Sequence, residues 1–195
     1  ISYGARLREP ACSPQGNKVA AAQIVQGSTR LVTVDLDDGS IQPLWTPKLG
    51  GQIGFPTWRR DGRAIVFSRI ERSWGRDLVE LSLENRTMKR LTKDAALELH
   101  PRFTRDGAYL VYSSDRDGIF DVYARRLSDG TIHRVTRTVT GAINPTVTLE
   151  GNRIAYSALG PRGYDLAVSQ FSLVEAVDGS SAGSDSPTPP VIEPP

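Results

Sequence analysis

The chain has 195 residues, a net charge of +2 and a hydrophobic content of 38%. That length can build one sizeable core, whereas no apolar stretch approaches the ~20 residues that a membrane-spanning helix needs. No run of Lys or Arg exceeds two residues, which excludes a generic polyanion-binding face, and the lone Cys12 excludes an internal disulfide.

Ile1 and Ser2 read as the tail of a strand belonging to a preceding unit, residues 1–8. Leu91 and Val135 end comparable strands ten residues ahead of a proline, and Ile1 lies nine residues ahead of Pro10. Met88 is the only methionine, so no initiator residue is visible.

From residue 9 the chain repeats. EPACSPQGNKVAAA opens a unit at 9–53, FPTWRRDGRAIVFS one at 54–98, HPRFTRDGAYLVYS one at 99–143 and NPTVTLEGNRIAYS one at 144–177. Pro10, Pro56, Pro101 and Pro145 each stand six residues before a glycine (Gly16, Gly62, Gly107, Gly151), at intervals of 46, 45 and 44 residues. A period of ~40–45 residues filled with short strands predicts one four-stranded propeller blade per unit.

The third unit shows why. Pro101 suits the first position of a strand, where no ladder donor is required. Arg105-Asp106-Gly107 makes a tight turn, and Tyr109–Tyr112 is a β-rich run too short for a helix. Asp115–Gly118 is a loop, Phe120–Arg126 a third strand, Asp129-Gly130 a hairpin turn and Ile132–Thr136 a fourth strand. The second unit follows suit with Ala64–Ser68, Leu78–Leu83 and Met88–Thr92. In the fourth unit Asp165–Phe171 is a third strand with no convincing fourth after it. Closure there is expected to borrow a strand from upstream. The sequence therefore predicts an all-β fold, a β-propeller with about four antiparallel blades, as part of a larger ring. Residues 178–195 change character. Ser180–Pro195 holds five prolines and four serines, with Val191 and Ile192 its only large apolar residues, and reads as a linker or tail that can lead to a further domain.

Tyr112-Ser113-Ser114-Asp115-Arg116-Asp117-Gly118, Phe120–Tyr123, Asp129-Gly130 and Arg134-Val135-Thr136 resemble the TolB-type, WD-like repeat of bacterial propellers. Pro56, Trp58, Asp61, Gly62, Phe67, Ser68 and Leu91-Thr92 match it in the second unit, and Pro145, Gly151, Tyr156 and Ser157 in the fourth. The first unit departs from it, with Ala11 and Gln15 where an aromatic residue and Asp are usual. The resemblance covers residues 9 to about 171. It implies a bacterial, periplasmic or cell-envelope setting, and a repeat found in partner-binding proteins, beside peptidase domains and in barrel-bearing envelope proteins.

Little in the chain can carry catalysis. His100 and His133 lack partners at metal-ligand spacing, no Gly-x-Ser-x-Gly occurs, and Asp115–Gly118 is too short for a calcium loop. Leu49-Gly50-Gly51 lacks the strand-to-helix context of a phosphate cradle. No cofactor and no metal site is expected.

In a TolB-type blade the first strand lines the channel, so loops leading into first strands and loops joining second to third strands share one face. That face collects 50–55, 97–100, 141–144, 70–76, 115–118 and 159–164. Its candidate binding residues are Arg69, Arg72, Trp74, Arg76, His100, Asp115, Arg116 and Arg162, because Trp and Arg dominate hot spots. The expected function is non-catalytic binding of a protein or peptide partner, not nucleic acid. The alternative is a scaffold or gating propeller of a larger peptidase or hydrolase.

Overall fold

The computed structural model describes residues 4–48, 50–70, 75–173 and 175–177. Among these residues there is no helix, and four antiparallel sheets follow one another along the chain. The first blade is β1 (Leu7–Cys12), β2 (Lys18–Val25), β3 (Ser28–Asp35) and β4 (Ile41–Trp45). The second is β5 (Gln52–Trp58), β6 (Ala64–Ile70), β7 (Asp77–Ser82) and β8 (Met88–Arg90). The third contains β9 (Glu98–Phe103), β10 (Tyr109–Ser114), β11 (Asp121–Arg126) and β12 (Ile132–Arg134). The fourth has three strands, β13 (Ala142–Val147), β14 (Arg153–Gly160) and β15 (Gly163–Gln170). After β15 the chain leaves that sheet. β16 (Glu175–Val177) pairs antiparallel with β12 and becomes a fifth strand on the outer edge of the third blade.

First strands of successive blades pack side by side, β1 against β5, β5 against β9 and β9 against β13. They form the inner wall of a β-propeller; the fourth strand is outermost in the first two blades, and β16 lies beyond it in the third. Between the blades sit three apolar layers. Ala20, Ala22 and Leu31 of the first blade meet Ile53, Trp58 and Phe67 of the second. Val66 and Leu78 of the second meet Leu110 and Tyr112 of the third. Val111 and Val122 of the third meet Ala142 and Ile154 of the fourth. Alternation along one strand assigns neighbours to opposite layers: Ile65 and Phe67 face the first blade, and Val66 between them faces the third. A sheet buried on both faces needs uninterrupted apolar runs, which is what AIVF and YLVY provide.

The aromatic residues that recur in the repeat serve these layers. Phe67 and Tyr112 are fully buried, Trp58 is buried with its indole N–H donating to the Ala11 carbonyl at 2.9 Å, and Phe103 and Tyr156 are half-buried. The glycine of the repeat is required by its turn: Gly62 and Gly107 have φ of 71° and 70°, where a Cβ would strain the backbone.

A second repeated device ties the third and fourth strands. Asp77 pairs with Arg90 at 2.6 Å, and the Thr92 hydroxyl accepts from the Leu78 N–H at 2.9 Å. One blade later Asp121 pairs with Arg134, and the Thr136 hydroxyl accepts from the Val122 N–H at 2.9 Å. The Arg-Leu-Thr and Arg-Val-Thr that end these blades are thus the far half of a strand-to-strand clasp.

Pro101 is not at the start of its strand, as the sequence suggested. β9 begins at Glu98 and the proline falls inside it, at a point where the register against β10 slips. The slip removes the ladder position that the missing N–H would leave empty, so an interior proline is tolerated.

Candidate interaction site at the channel

The slip recurs in every blade and shapes the channel wall. It falls between Arg8 and Ala11 in β1, Gly54 and Thr57 in β5, and Ile143 and Thr146 in β13, as well as in β9. At each slip the residue before the proline has a left-handed backbone: Glu9 (φ 56°), Phe55 (54°), His100 (55°) and Asn144 (56°). Such conformations cost non-glycine residues about 1–3 kcal/mol and persist only where the surroundings impose them. Four equivalent positions therefore form a row along the inner wall, one per blade, of four different chemistries: acid, aromatic, imidazole and amide.

Glu9, Phe55 and His100 touch in turn. The Glu9 carboxylate accepts the Phe55 N–H at 2.6 Å across the boundary of the first and second blades. One blade on, the Phe55 ring packs on the His100 imidazole with centroids 4.2 Å apart, and the Arg76 guanidinium lies 5.9 Å from the Phe55 ring. Burial lowers the His100 imidazole to about 4, helped by the positive charges of Arg102 and Arg76, so it is neutral at physiological pH. Its Nδ1 is buried and has no hydrogen-bond partner. Burial likewise lowers the guanidinium groups of Arg76 and Arg102, although Arg102 retains solvent access.

The loops grouped together by topology do converge. The Arg76 N–H donates to the Ala96 carbonyl and its carbonyl accepts from the Glu98 N–H, both at 2.9 Å, joining the second blade's loop to the approach of β9. The Leu97 N–H donates to Asp115 at 2.7 Å, and the Leu159 N–H to Gly141 at 2.9 Å.

The candidate residues divide within this face. His100 is one of the pre-proline residues of the channel wall, and Arg76 lies beside Phe55. Arg162 is exposed at the tip of the β14–β15 hairpin. Asp115 is engaged by the Leu97 N–H. Arg116 is turned inward, its side chain only 9% exposed; it pairs with Glu98 at 2.6 Å and Asp94 at 3.1 Å and lies 4.8 Å from the Tyr123 ring centroid. Arg69 lies 5.8 Å from the Trp45 ring and 3.2 Å from the Met88 sulfur, toward the outside of the blade. Arg72 and Trp74 lie outside the described residues. Glu9, Phe55, Asn144 and Arg102 are channel residues that the sequence reading did not single out. The signal was present, since each pre-proline residue repeats at the same interval as its proline.

Glu98 is fully buried, with no exposure and one oxygen unpartnered. Burial and the nearby Asp94 charge push its carboxyl up to about 8, against the pull of Arg116. It holds the β9 approach to the Asp115–Gly118 loop. Among the described residues no group of three or more His, Cys, Asp or Glu side chains could hold a metal, and no helix is long and apolar enough to cross a membrane.

The profile of the TolB beta propeller domain matches residues 4–188. The chain belongs to the TolB β-propeller family. TolB from Acinetobacter baumannii superposes with a TM-score of 0.75 at 23% identity, over 85% of this chain and 41% of that one. A putative TolB from Agrobacterium tumefaciens gives 0.76 at 15% identity, over 88% and 64%. A puromycin-hydrolyzing peptidase from Mycobacterium tuberculosis gives 0.69 at 13% identity, over 88% and 28%. This TolB-family chain thus spans about two-fifths to two-thirds of the TolB structures it resembles. At these identities the likeness speaks for the fold alone.

Proposed function

We propose that this propeller is a non-catalytic interaction module of a bacterial cell-envelope protein and binds a protein or peptide partner at the channel-mouth face. The observation that carries the reading is the row of four strained, pre-proline residues along the channel wall. Regular sheet would cost less, and strained backbone of this kind clusters at active sites, ligand clamps and switch regions. Around it, Phe55, Arg76 and the exposed Arg162 supply the aromatic and guanidinium groups from which hot spots are built. Membership of the TolB family supports an envelope location and a protein partner.

The test is a selection of displayed random peptides on the protein, followed by calorimetry of the selected sequences. Trp74→Ala is expected to weaken binding by ~2 kcal/mol or more. Arg86→Ala, in an exposed turn between β7 and β8 at the opposite end, is expected to leave it unchanged. Equal losses, or none from Trp74→Ala, contradict the assignment.

The resemblance to a peptidase-borne propeller favours a second reading, a gating scaffold beside a hydrolase domain. Peptide hydrolysis by the full-length gene product would support it.

A further inference from the structure

We infer that the outer edge of the fourth blade docks an extended segment of a partner protein that reads Arg-[Leu/Val]-Thr, with Asp165 as its recognition residue. This surface is separate from the channel mouth, and the clasp of the second and third blades is its template. Asp77, Asp121 and Asp165 stand 44 residues apart and in one register, opposite Arg69, Ser114 and Ala158 of their neighbouring strands. In the second and third blades the fourth strand brings an arginine to this acid. The residue after the arginine donates its N–H to the carbonyl of Leu78 or Val122 at 2.8 Å, and the threonine hydroxyl accepts the N–H of that same residue.

In the fourth blade the receiving half of the clasp is present and unused. β15 is the edge of a three-stranded sheet, and Leu166 holds the place of Leu78 and Val122. Asp165 is exposed, with no hydrogen-bond or ion-pair partner among the described residues. Leu78 and Val122 have no exposure, whereas Leu166 is 79% exposed, with Tyr164 and Val168 open on the same face of the strand. Leu91 shares an apolar layer with Leu78, and Val135 with Val122, so the aliphatic residue of an incoming strand lies beside Leu166. The chain's own two Arg-[Leu/Val]-Thr segments, 90–92 and 134–136, are held in their blades. β16 brings an acid and neither arginine nor threonine, which gives Asp165 no counter-charge, and it lies on the third blade.

A second observation is independent of the clasp. The outer edges of the other blades are guarded: β4 carries Pro43, β8 has three residues that include Lys89 and Arg90, and β12 is covered by β16. β15 has eight residues, neither proline nor lysine, and an uninterrupted register with β14. Such an edge takes a further strand through its backbone, and the side chains beside it select which strand.

The test is NMR titration of the ¹⁵N-labelled chain with acetyl-Thr-Ile-His-Arg-Val-Thr-amide and with a control peptide in which Gln replaces Arg and Val replaces Thr. The Arg peptide is expected to shift the Leu166 and Val168 amides saturably and to bind about tenfold tighter than the control. In Asp165→Asn, expected to melt at the wild-type temperature, that preference is expected to vanish. Equal affinities of the two peptides for the wild type overturn Asp165 as the recognition residue. Shifts confined to β8, β12 or the channel mouth overturn β15 as the site. A dimer in sedimentation that Leu166→Lys abolishes overturns the partner in favour of a second copy of this chain. Slow exchange at 164–168 in the full-length gene product without peptide overturns it in favour of a segment of the same polypeptide.

Discussion

Asp77 and Asp121 hold the same place in consecutive blades, but they are not equally engaged, and the difference sets the cost of removing each. Asp121 has no exposure. One oxygen pairs with Arg134, and the other accepts from the Thr136 hydroxyl at 2.7 Å and from the Thr138 N–H and hydroxyl at 3.0 Å. Asp77 pairs with Arg90 at 2.6 Å, but its other oxygen has no partner and Arg90 is 41% exposed. Asp121→Ala leaves three donors without their acceptor and Arg134 with only Asp117 and the Thr136 carbonyl, a loss of about 3–5 kcal/mol at the usual cost of hydrogen bonds to a charged group. Asp77→Ala frees one arginine that can turn to water, a loss of about 1–2 kcal/mol. Urea denaturation followed by tryptophan fluorescence measures both, and the gap between the two variants is expected to be about 2 kcal/mol. Equal losses would show that the ion pair alone carries the clasp, and that the threonine hydrogen bonds add nothing.

Phe67→Ala, in the layer between the first two blades, is expected to lower stability by about 3–5 kcal/mol in the same assay. His100 has a folded value near 4 against an ordinary 6.5, so its neutral form contributes stability above pH 6.5 that is lost as the pH falls toward 4. With allowance for partial solvent screening the loss is about 1–2 kcal/mol, and His100→Gln is expected to flatten that part of a melting-temperature profile. Glu98 behaves in the opposite sense: its folded value is raised, so the wild type is expected to lose stability relative to Glu98→Gln as the pH rises from about 4.5 to about 8.

The architecture was legible because a propeller writes its period into backbone-critical residues. Gly62 and Gly107 cannot be exchanged without strain, the Asp and Arg-x-Thr of the clasp recur a blade apart, and two-faced burial keeps AIVF and YLVY uninterrupted. The candidate site was legible only in part. Topology assigned Arg76, His100 and Arg162 to one face, because loop position follows strand order. Arg116 and Arg69 looked available because composition marks them as polar, but they are consumed by Glu98 and Asp94 in one case and by Trp45 and Met88 in the other, partners set by packing between strands far apart in sequence. The row of Glu9, Phe55, His100 and Asn144 escaped for a different reason. Proline was taken to begin the strand, and a strand interrupted by a register slip turns the residue before it toward the channel.

The most direct test of the interaction reading is a hydrogen-exchange footprint of the protein with a peptide selected on it. The account predicts slowed exchange at 52–55, 97–100 and 141–144, the approaches to the inner strands. Protection confined to 14–17, 59–63, 84–87 and 104–108, the turns at the other end, would contradict it.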